Sequence, residues 1–468
     1  MLFHSQEFLL LFFPVVLAAS FAAAGRPRLR LAFLILASLV FYAYWDPRLL
    51  PLLVGSVVVN WLFARYFLKL TPGRWFIATG IALNLGLLAV FKYADFLAAT
   101  FAVLGGVRHD PWNIVLPLGI SFFTFQQISY LADVKRARAP LYRFDEYALY
   151  VTFFPQLIAG PIVRHNELIG QFAESPLRAG VSERLGRGFV LFVIGLLKKV
   201  VVADGLARIA DPAFGHAAAG VAPGLLESWA ATFAFTFEIY FDFSAYSDMA
   251  IGLALMFGYH LPFNFEAPLA ARSIRDFWRR WHMTLTRFLT DYVYVSVGNS
   301  RALARLAQNA REGVATMVTM LLCGLWHGAA WTFVLWGGMH GAAMVVNQSW
   351  RRAGLAMHPG VGWLLTFMLF ATSLVLFRAA DFAAATQMYL AMFGVDGWSV
   401  ALSGIARNDL LLFPVAAALA LVGPTSQALA LERMRPDRWI ALAVAAAFVF
   451  VVLQVSTQDA ASFIYFQF

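Results

Sequence analysis

The sequence predicts an all-α, multi-pass integral membrane protein, and three observations carry that reading. Of its 468 residues 61% are hydrophobic and only 13% are charged, where a soluble domain carries roughly a quarter charged residues. Apolar runs of about 20 residues, enough to cross a hydrocarbon layer of ~30 Å, recur from the first residues to the last. No polar domain, low-complexity tract or linker interrupts them, so residues 1–468 read as a single membrane domain.

Taken in order, candidate spans are Glu7 to Ala24, Leu31 to Trp45, Leu49 to Phe67, Trp75 to Phe91, Ile114 to Leu131, Tyr147 to Val163, Gly188 to Ala203 and Leu225 to Phe241. Later ones run through Val314 to Val346, read as two, and over Val361 to Phe377, Leu410 to Val422 and Trp439 to Val455. About eleven or twelve crossings result. The first run has neither a basic leader nor a small-residue cleavage site, so it reads as a retained span. Arg26, Arg28 and Arg30 follow the first span, and Arg65, Lys69 and Arg74 the third. Basic residues mark cytoplasmic loops, so the N-terminus is expected outside. The excess of 35 Lys and Arg over 26 Asp and Glu therefore concerns membrane orientation rather than nucleic acid. The run Phe96 to Val107, at 12 residues, is too short to cross and is expected to be re-entrant or interfacial.

Pro117 and Gly119 in VLPLGISFFTFQQ, and Pro155, Gly160 and Pro161 in FFPQLIAGPIVRH, would bend or break helices inside apolar sequence. Backbone freed at that depth either lines a wet cavity or lies embedded among neighbouring helices, and the residues alone leave both open.

An ionisable side chain in hydrocarbon is costly and usually survives because it faces a cavity, a partner or a reacting group. His327 is such a residue, set between Trp326 and Gly328 in LLCGLWHGAAWTFVLWGG. Gly324 and Gly328 would let another helix approach closely on either side of it. No Asp, Glu, Lys or Arg occurs from Gly313 to Trp350, so whatever completes it comes from another helix. Two short spans or one long broken helix over this stretch would place it differently. A buried neutral imidazole can take a proton from an attacking hydroxyl and hand it to a leaving group, worth about 10²- to 10⁴-fold in rate. His340, in WGGMHG, is expected to pack against a partner helix.

The densest polar constellation is FDFSAYSDMA, HLPFNF and ARSIRDFWRRWHMTLTRFL. Over Ser273 to Leu289 the helical period puts Trp278, Trp281, His282 and Leu285 on one stripe and Arg272, Arg275, Arg279 and Arg280 largely on another. This segment is expected at the cytoplasmic interface, its arginines toward headgroups or a polyanionic ligand. His282 is either a hydrogen-bonded packing residue or a reactive one. Asp242 closes the aromatic run FAFTFEIYFDF at a helix end, where a carboxylate can bind a cation, orient a histidine or cap the next helix; Ser247 and Asp248 are expected to cap, and the deeper Asp242 to support a site residue.

Other chemistries lack their parts. There is no GxxxxGKS or GxxxxGKT to cradle a nucleotide phosphate and no GxSxG nucleophile elbow. There is no HExxH, and the nine histidines lack ligand spacing, so no metal is expected. The single cysteine, Cys323, rules out an internal disulfide.

Two segments do more than suggest chemistry. WRRWHMTLTRFLTDYVY, holding His282, and GLWHGAAWTFVLWGGMHG, holding His327, resemble the paired-histidine signature of the membrane-bound O-acyltransferase family. LPLGISFFTFQQISYLADV, FFPQLIAGPI, FDFSAYSDMAIGLALMFG and the terminal FIYFQF resemble its bacterial branch. That branch includes alginate O-acetyltransferase membrane subunits and, more distantly, the D-alanyl transferase of teichoic acids. The resemblance implies a multi-helix core around a central tunnel, with His327 deep inside as the essential residue and His282 toward the cytoplasmic side. It favours the broken helices as tunnel wall.

The same resemblance implies acyl transfer across the bacterial inner membrane. Acetyl-coenzyme A would be the donor, its phosphates near Arg275, Arg279 and Arg280, since arginine's planar fork suits phosphate. Trp278, Trp281, Trp326 and Asp242 would contact substrate, His327 would act as general base, and His282 would orient or polarise the thioester. No bound cofactor is implied. A periplasmic acetyltransferase or acyl-acceptor protein is expected to carry the group to alginate or a similar polymer. Rival readings stay open: acetylation of cellulose or peptidoglycan, D-alanyl transfer, a scaffold, or a proton-coupled transporter or flippase relaying protons through His282, His327 and Asp242, although no inverted halves are visible.

Overall fold

The structure is a computed structural model that describes residues 1–70, 73, 75–395, 397–399, 402, 407–434, 437–457 and 463–464. Among them every regular element is helical. The chain forms two compact units, the first from Met1–Ile194, Tyr246–Pro262 and Ala430–Ser462, the second from Gly195–Ala245, Phe263–Leu429 and Phe463–Phe468. Arg74 and Tyr465 to Phe468 lie outside the described residues.

The first unit begins with α1 (Phe13–Ala22), α2 (Pro27–Ala43), α3 (Leu50–Leu70), α4 (Trp75–Leu88) and α5 (Ala94–Leu104). After these come α6 (Ile120–Lys135), α7 (Phe144–Thr152), α8 (Phe154–Leu157), α9 (His165–Leu168) and α10 (Val181–Leu197). A π-turn at Ala89–Tyr93 joins α4 and α5 into one continuous helix, Trp75–Leu104. Phe96 to Val107 is therefore not a separate re-entrant piece but the last turns of the preceding span. No proline interrupts it, and it stops where Gly106 takes a left-handed φ of 67°. A buried amide pair ties α3 to α4: Asn60 and Asn84 each donate to the other's side-chain oxygen, at 3.1 and 2.6 Å.

The helix breaks near Pro117 and Pro155 pack against each other. Gly119 has φ 71°, and a Cβ there would come within 2.7 Å of the Leu157 carbonyl oxygen. The Phe154 ring lies 5.4 Å from Phe12 and Phe41 and 5.6 Å from Phe257. Of the two possibilities, this broken backbone lies embedded among buried aromatic neighbours. Arg30 also departs from its expected place. It is 2% exposed and donates to the Tyr259 hydroxyl at 2.6 Å and the Glu174 carbonyl at 3.0 Å, so it binds the fold together rather than marking a loop.

The remaining helices are α11 (Asp204–Ala218), α12 (Leu225–Met256), α13 (Ile274–Arg280), α14 (Met283–Leu289), α15 (Val295–Gly298) and α16 (Gln308–His327). They continue with α17 (Trp331–Arg352), α18 (Pro359–Arg378), α19 (Phe382–Met392), α20 (Arg407–Leu421) and α21 (Arg438–Thr457), the last belonging to the first unit. α12 is unbroken over 32 residues. FDFSAYSDMA is thus mid-helix, and Ser247 and Asp248 cap nothing, because no Gly or Pro precedes Gly252 to stop the helix. Gly252 sits instead on Gly188 of α10, where a Cβ would come within 2.6 Å of the Gly188 carbonyl oxygen. Length and apolar composition alone qualify Pro47–Leu70, Trp75–Leu104, Pro359–Arg378 and Arg438–Ser456 as spans, with shorter apolar helices at Phe8–Ala22 and Asp409–Leu421. α12 is long enough too, but it carries Glu238, Asp242 and Asp248, which are buried in protein.

Candidate active site

Within the second unit, two helix pairs present the histidines. In the first, Ser273 caps α13, its Oγ accepting from the Asp276 N–H at 3.1 Å. α13 then stops: Trp281 is extended at φ −98°, ψ 128°, and His282 is left-handed at φ 42°, ψ 52°. Ser273 to Leu289 is therefore not one amphipathic helix but two of seven residues each, joined at His282. Left-handed backbone costs a non-glycine residue roughly 1–2 kcal/mol, and such strain clusters at functional sites. The bend is held by residues just before α13, with Glu266 N–H donating to Arg280 O at 3.0 Å and Met283 N–H to Asn264 O at 2.9 Å.

Asn264 sets the imidazole. Its Oδ1 accepts from the Thr284 N–H at 3.3 Å, from the Thr284 hydroxyl at 2.9 Å and from His282 Nδ1 at 3.0 Å. A backbone N–H can only donate, so this atom is the amide oxygen and Nδ1 must carry the hydrogen. In the neutral ring Nε2 then keeps its lone pair. Neither α13 nor α14 is long enough to cross a bilayer, and burial pushes the His282 pKa down to about 3, leaving the ring uncharged at neutral pH.

The second pair resolves the Gly313 to Trp350 stretch into two helices, with His327 the last residue of α16. Their close crossing needs two glycines. A Cβ on Gly324 would come within 2.2 Å of the Phe333 carbonyl oxygen, and one on Gly337 within 2.3 Å of the Met320 carbonyl oxygen. That approach sets Trp336 edge-on to His327 at 5.2 Å, with Trp326 at 4.9 Å and Phe377 at 5.3 Å around the same ring. His327 is 3% exposed. Trp326 also lies 5.9 Å from His282, so one indole neighbours both imidazoles. His340 packs against its partner helix, Nε2 3.0 Å from Ser373 Oγ on α18, and its ring is 4.7 Å from Trp336.

A cavity of about 580 Å³ adjoins these helices, lined by Arg275, Trp278, Glu312, Cys323, Arg351 and Arg352 among others. Cys323 is one turn before His327 on α16, and Trp278 packs 5.4 Å from His340. Among the described residues no carboxylate pairs with Arg275, Arg279 or Arg351. Partial burial, then the like charges of Arg279 and Arg351, pull the Arg275 guanidinium below its ordinary pKa. Arg352 pairs with Glu312, and Arg280 pairs with Asp276 at 2.9 Å. Arg280 is thus paired on its own helix, whereas Arg351 lines the cavity.

Two further expectations need correction. Trp281 does not line the cavity; it stacks on Phe277 at 5.6 Å and meets Phe265 at 5.2 Å. Asp242 orients no histidine, because Oδ1 is held by Lys199 Nζ at 2.8 Å and Oδ2 by the Ile464 N–H at 2.9 Å. Lys199 also reaches Asp204 at 2.8 Å. A buried carboxylate left without such partners would be strongly destabilising. Among the described residues no three His, Cys, Asp or Glu side chains are placed to hold a metal ion.

Residues 116–358 match the family model described as "MBOAT, membrane-bound O-acyltransferase family", a stretch that contains His282, His327 and His340. The chain belongs to the membrane-bound O-acyltransferase family. It is 38% identical over 435 residues to the "Peptidoglycan O-acetyltransferase" of Helicobacter pylori, covering 86% of this chain and 81% of that one. It is 38% identical over 431 residues to the "Probable alginate O-acetylase AlgI" of Azotobacter vinelandii, covering 90% and 83%. A more distant relative is the "Teichoic acid D-alanyltransferase" of Bacillus subtilis, 26% identical over 246 residues, or 51% and 60%. As a member of the membrane-bound O-acyltransferase family the chain is a multi-pass membrane O-acyltransferase. Sequence reading missed Asn264, Lys199, Trp336, Phe377 and Arg351. For Asn264 the signal was a lone amide in the aromatic stretch HLPFNF, and for Arg351 a basic pair ending 38 uncharged residues.

Proposed function

We propose that the chain transfers an acetyl group from a cytoplasmic, phosphate-bearing donor, most simply acetyl-coenzyme A, to a hydroxyl acceptor, for O-acetylation of an exported polysaccharide such as alginate. The observation that carries this is two buried imidazoles that both neighbour Trp326, beside a cavity whose wall holds Arg275 and Arg351, neither paired with a carboxylate among the described residues. By the positive-inside rule those arginines face the cytoplasm of a bacterial inner membrane. Arg275 and Arg351 of the cavity wall take the donor's phosphates, with Arg279, one turn on from Arg275 but outside the wall, adding its charge, and the thioester arm lies along Trp278 and Cys323.

His327 removes the acceptor's hydroxyl proton as its oxygen bonds to the thioester carbonyl carbon. The carbon–sulfur bond then breaks, and the proton passes from the imidazolium to the departing sulfur, releasing a thiol. His282, whose ring proton is committed to Asn264, offers a lone pair at Nε2. That suits it to accept from the donor's amide N–H or the acceptor hydroxyl rather than to polarise a carbonyl. The rings of Trp326, Trp336 and Phe377 crowd His327, which favours a small group or a protein side chain as the immediate acceptor, with a periplasmic protein passing the acetyl group to the polymer.

The test is purified protein given labelled acetyl-coenzyme A, with and without its periplasmic partner, together with His327→Ala in cells. Polymer still secreted but without acetyl groups supports the enzyme. Lost secretion with normal acetyl content on residual polymer would make the chain a transporter, and labelled D-alanine on the polymer would reassign the donor.

A further inference from the structure

Beside the arginine-lined cavity, the second unit encloses a groove of about 350 Å³ between the end of α17, the start of α18 and Arg272 to Ile274. On α17 its wall includes Ala343, Asn347 and Arg351, spaced by four along one face. On α18 it includes Leu365 and Leu369. The two helices run antiparallel, joined by residues 353–358 and bonded deeper in through His340 and Ser373. Both therefore bring their polar ends to one place. Arg351 and Arg272 stand there, while Ala343 lies about 12 Å further along α17 at ~1.5 Å per residue, level with the leucines of α18. The floor is fixed: a Cβ on Gly362 would come within 2.4 Å of the Arg272 carbonyl oxygen, and Trp363 Nε1 donates to Leu269 O at 3.0 Å.

Charge and polarity together select the occupant. Neither the Arg272 nor the Arg351 guanidinium pairs with a carboxylate among the described residues. The cationic end coincides with the start of α18, an apolar span of 20 residues, which is headgroup level. A soluble phosphate compound would leave the apolar stretch wet, an uncharged lipid would bring the two guanidiniums no anion, and a zwitterionic one would set its own cation beside them. We propose that this groove holds one anionic phospholipid, its phosphate between Arg272 and Arg351 and an acyl chain along Ala343, Val346, Leu365 and Leu369. Arg351 and Asn347 line the 580 Å³ cavity as well. The lipid phosphate therefore draws on an arginine that a donor also needs, and anionic lipid raises the donor's KM. This coupling rests on the donor reading above; the lipid site does not.

Native mass spectrometry of the purified full chain, with phosphatidylglycerol or phosphatidylcholine of matched chain length, tests the site. One phosphatidylglycerol per chain is expected, preferred over phosphatidylcholine. Arg272→Gln, an exposed change that leaves the packing alone, should weaken it roughly fivefold, and Leu365→Trp should exclude it by filling the groove. Equal retention of the two lipids, or wild-type retention in both variants, overturns the proposal. Displacement by glycerol phosphate alone assigns the site to a soluble ligand and overturns it too. In nanodiscs, KM for acetyl-coenzyme A should be higher with phosphatidylglycerol, and Arg272→Gln should shrink the difference. Retained lipid with no acetyl transfer in any lipid would defeat the donor reading alone.

Discussion

His282 Nδ1 donates to Asn264 Oδ1 over 3.0 Å, and the same oxygen accepts both polar hydrogens of Thr284. Three donors on one buried acceptor make Asn264 the residue on which the His282 turn depends.

Replacing Asn264 by Leu leaves those donors without their acceptor, at about 1–3 kcal/mol for each group left unsatisfied. The expected result is a clearly lower melting temperature and a fall in acetyl transfer of roughly tenfold or more. Thr284→Val removes only the hydroxyl and should lower stability by about 1 kcal/mol with transfer largely kept. A normal turnover rate in Asn264→Leu would show that the orientation of His282 is irrelevant to the chemistry.

Burial of His282 also dictates a pH dependence. In the unfolded chain a histidine titrates near 6.5, whereas in the fold this one is pushed down to about 3. The unfolded state alone gains a proton as pH drops below about 6.5, so the contribution to stability is complete above that value. It is lost progressively toward pH 3, at no more than about 1.4 kcal/mol per pH unit. Melting curves at about pH 8, 6 and 5 should decline more steeply for the wild type than for His282→Asn. Asn is the cleaner probe because it tolerates left-handed backbone, so Ala would confound two effects. Parallel declines would rule the account out.

The crossing of α16 and α17 makes a steric prediction. Gly324→Ala and Gly337→Ala each place a methyl against a backbone carbonyl, at 2.2 and 2.3 Å, where nothing flexible can yield. Each should cost about 1–3 kcal/mol or more and abolish transfer by moving Trp336 away from His327. Gly338→Ala, whose Cβ would lie 3.5 Å from a Leu321 methyl, is the control and should behave as wild type. Equal damage at all three positions would mean helix propensity, not the crossing, is what matters.

For the arginines the expected effect is on donor binding. Arg275→Gln and Arg351→Gln should raise KM for acetyl-coenzyme A roughly tenfold with kcat little changed, and the defect should shrink at high salt. Arg280→Gln, whose partner is Asp276 on its own helix, should change KM by less than about twofold. Steady-state kinetics in which Arg280→Gln is the worst of the three would return that residue to the donor site.

Much of this was legible from residue order, and the failures have physical causes. The two histidines could be picked out because charge is so scarce around them, and Gly324 because a small residue beside a buried imidazole in apolar sequence implies a close helix. The left-handed turn at His282 could not, since WRRWHMTLTRF satisfies a helical period throughout and the break is imposed by Asn264, 18 residues earlier. Helix ends were misplaced at FDFSAYSDMA and at Phe96 for the converse reason. Polar residues and short length were read as boundaries, yet no Gly or Pro was present to end the helix. The partner of Asp242 is not legible because the Lys199 that neutralises it lies on another helix, 43 residues away, and pairwise charge matching over that distance leaves no pattern in a single sequence.

At about 1.5 Å per residue, the 32 residues of α12 make a rod of about 48 Å, against ~30 Å of hydrocarbon. Leaning it far enough to hide both ends would take roughly 50°, beyond the tilts that membrane helices adopt, so at least one end overhangs. Slide the rod as one will, any stretch of about 20 residues drawn from it still includes positions 237–244. Asp242 therefore stays submerged at every draught, beyond the reach of headgroups, and as it is 1% exposed its charge is met at that depth by the ammonium of Lys199, which the protein itself delivers.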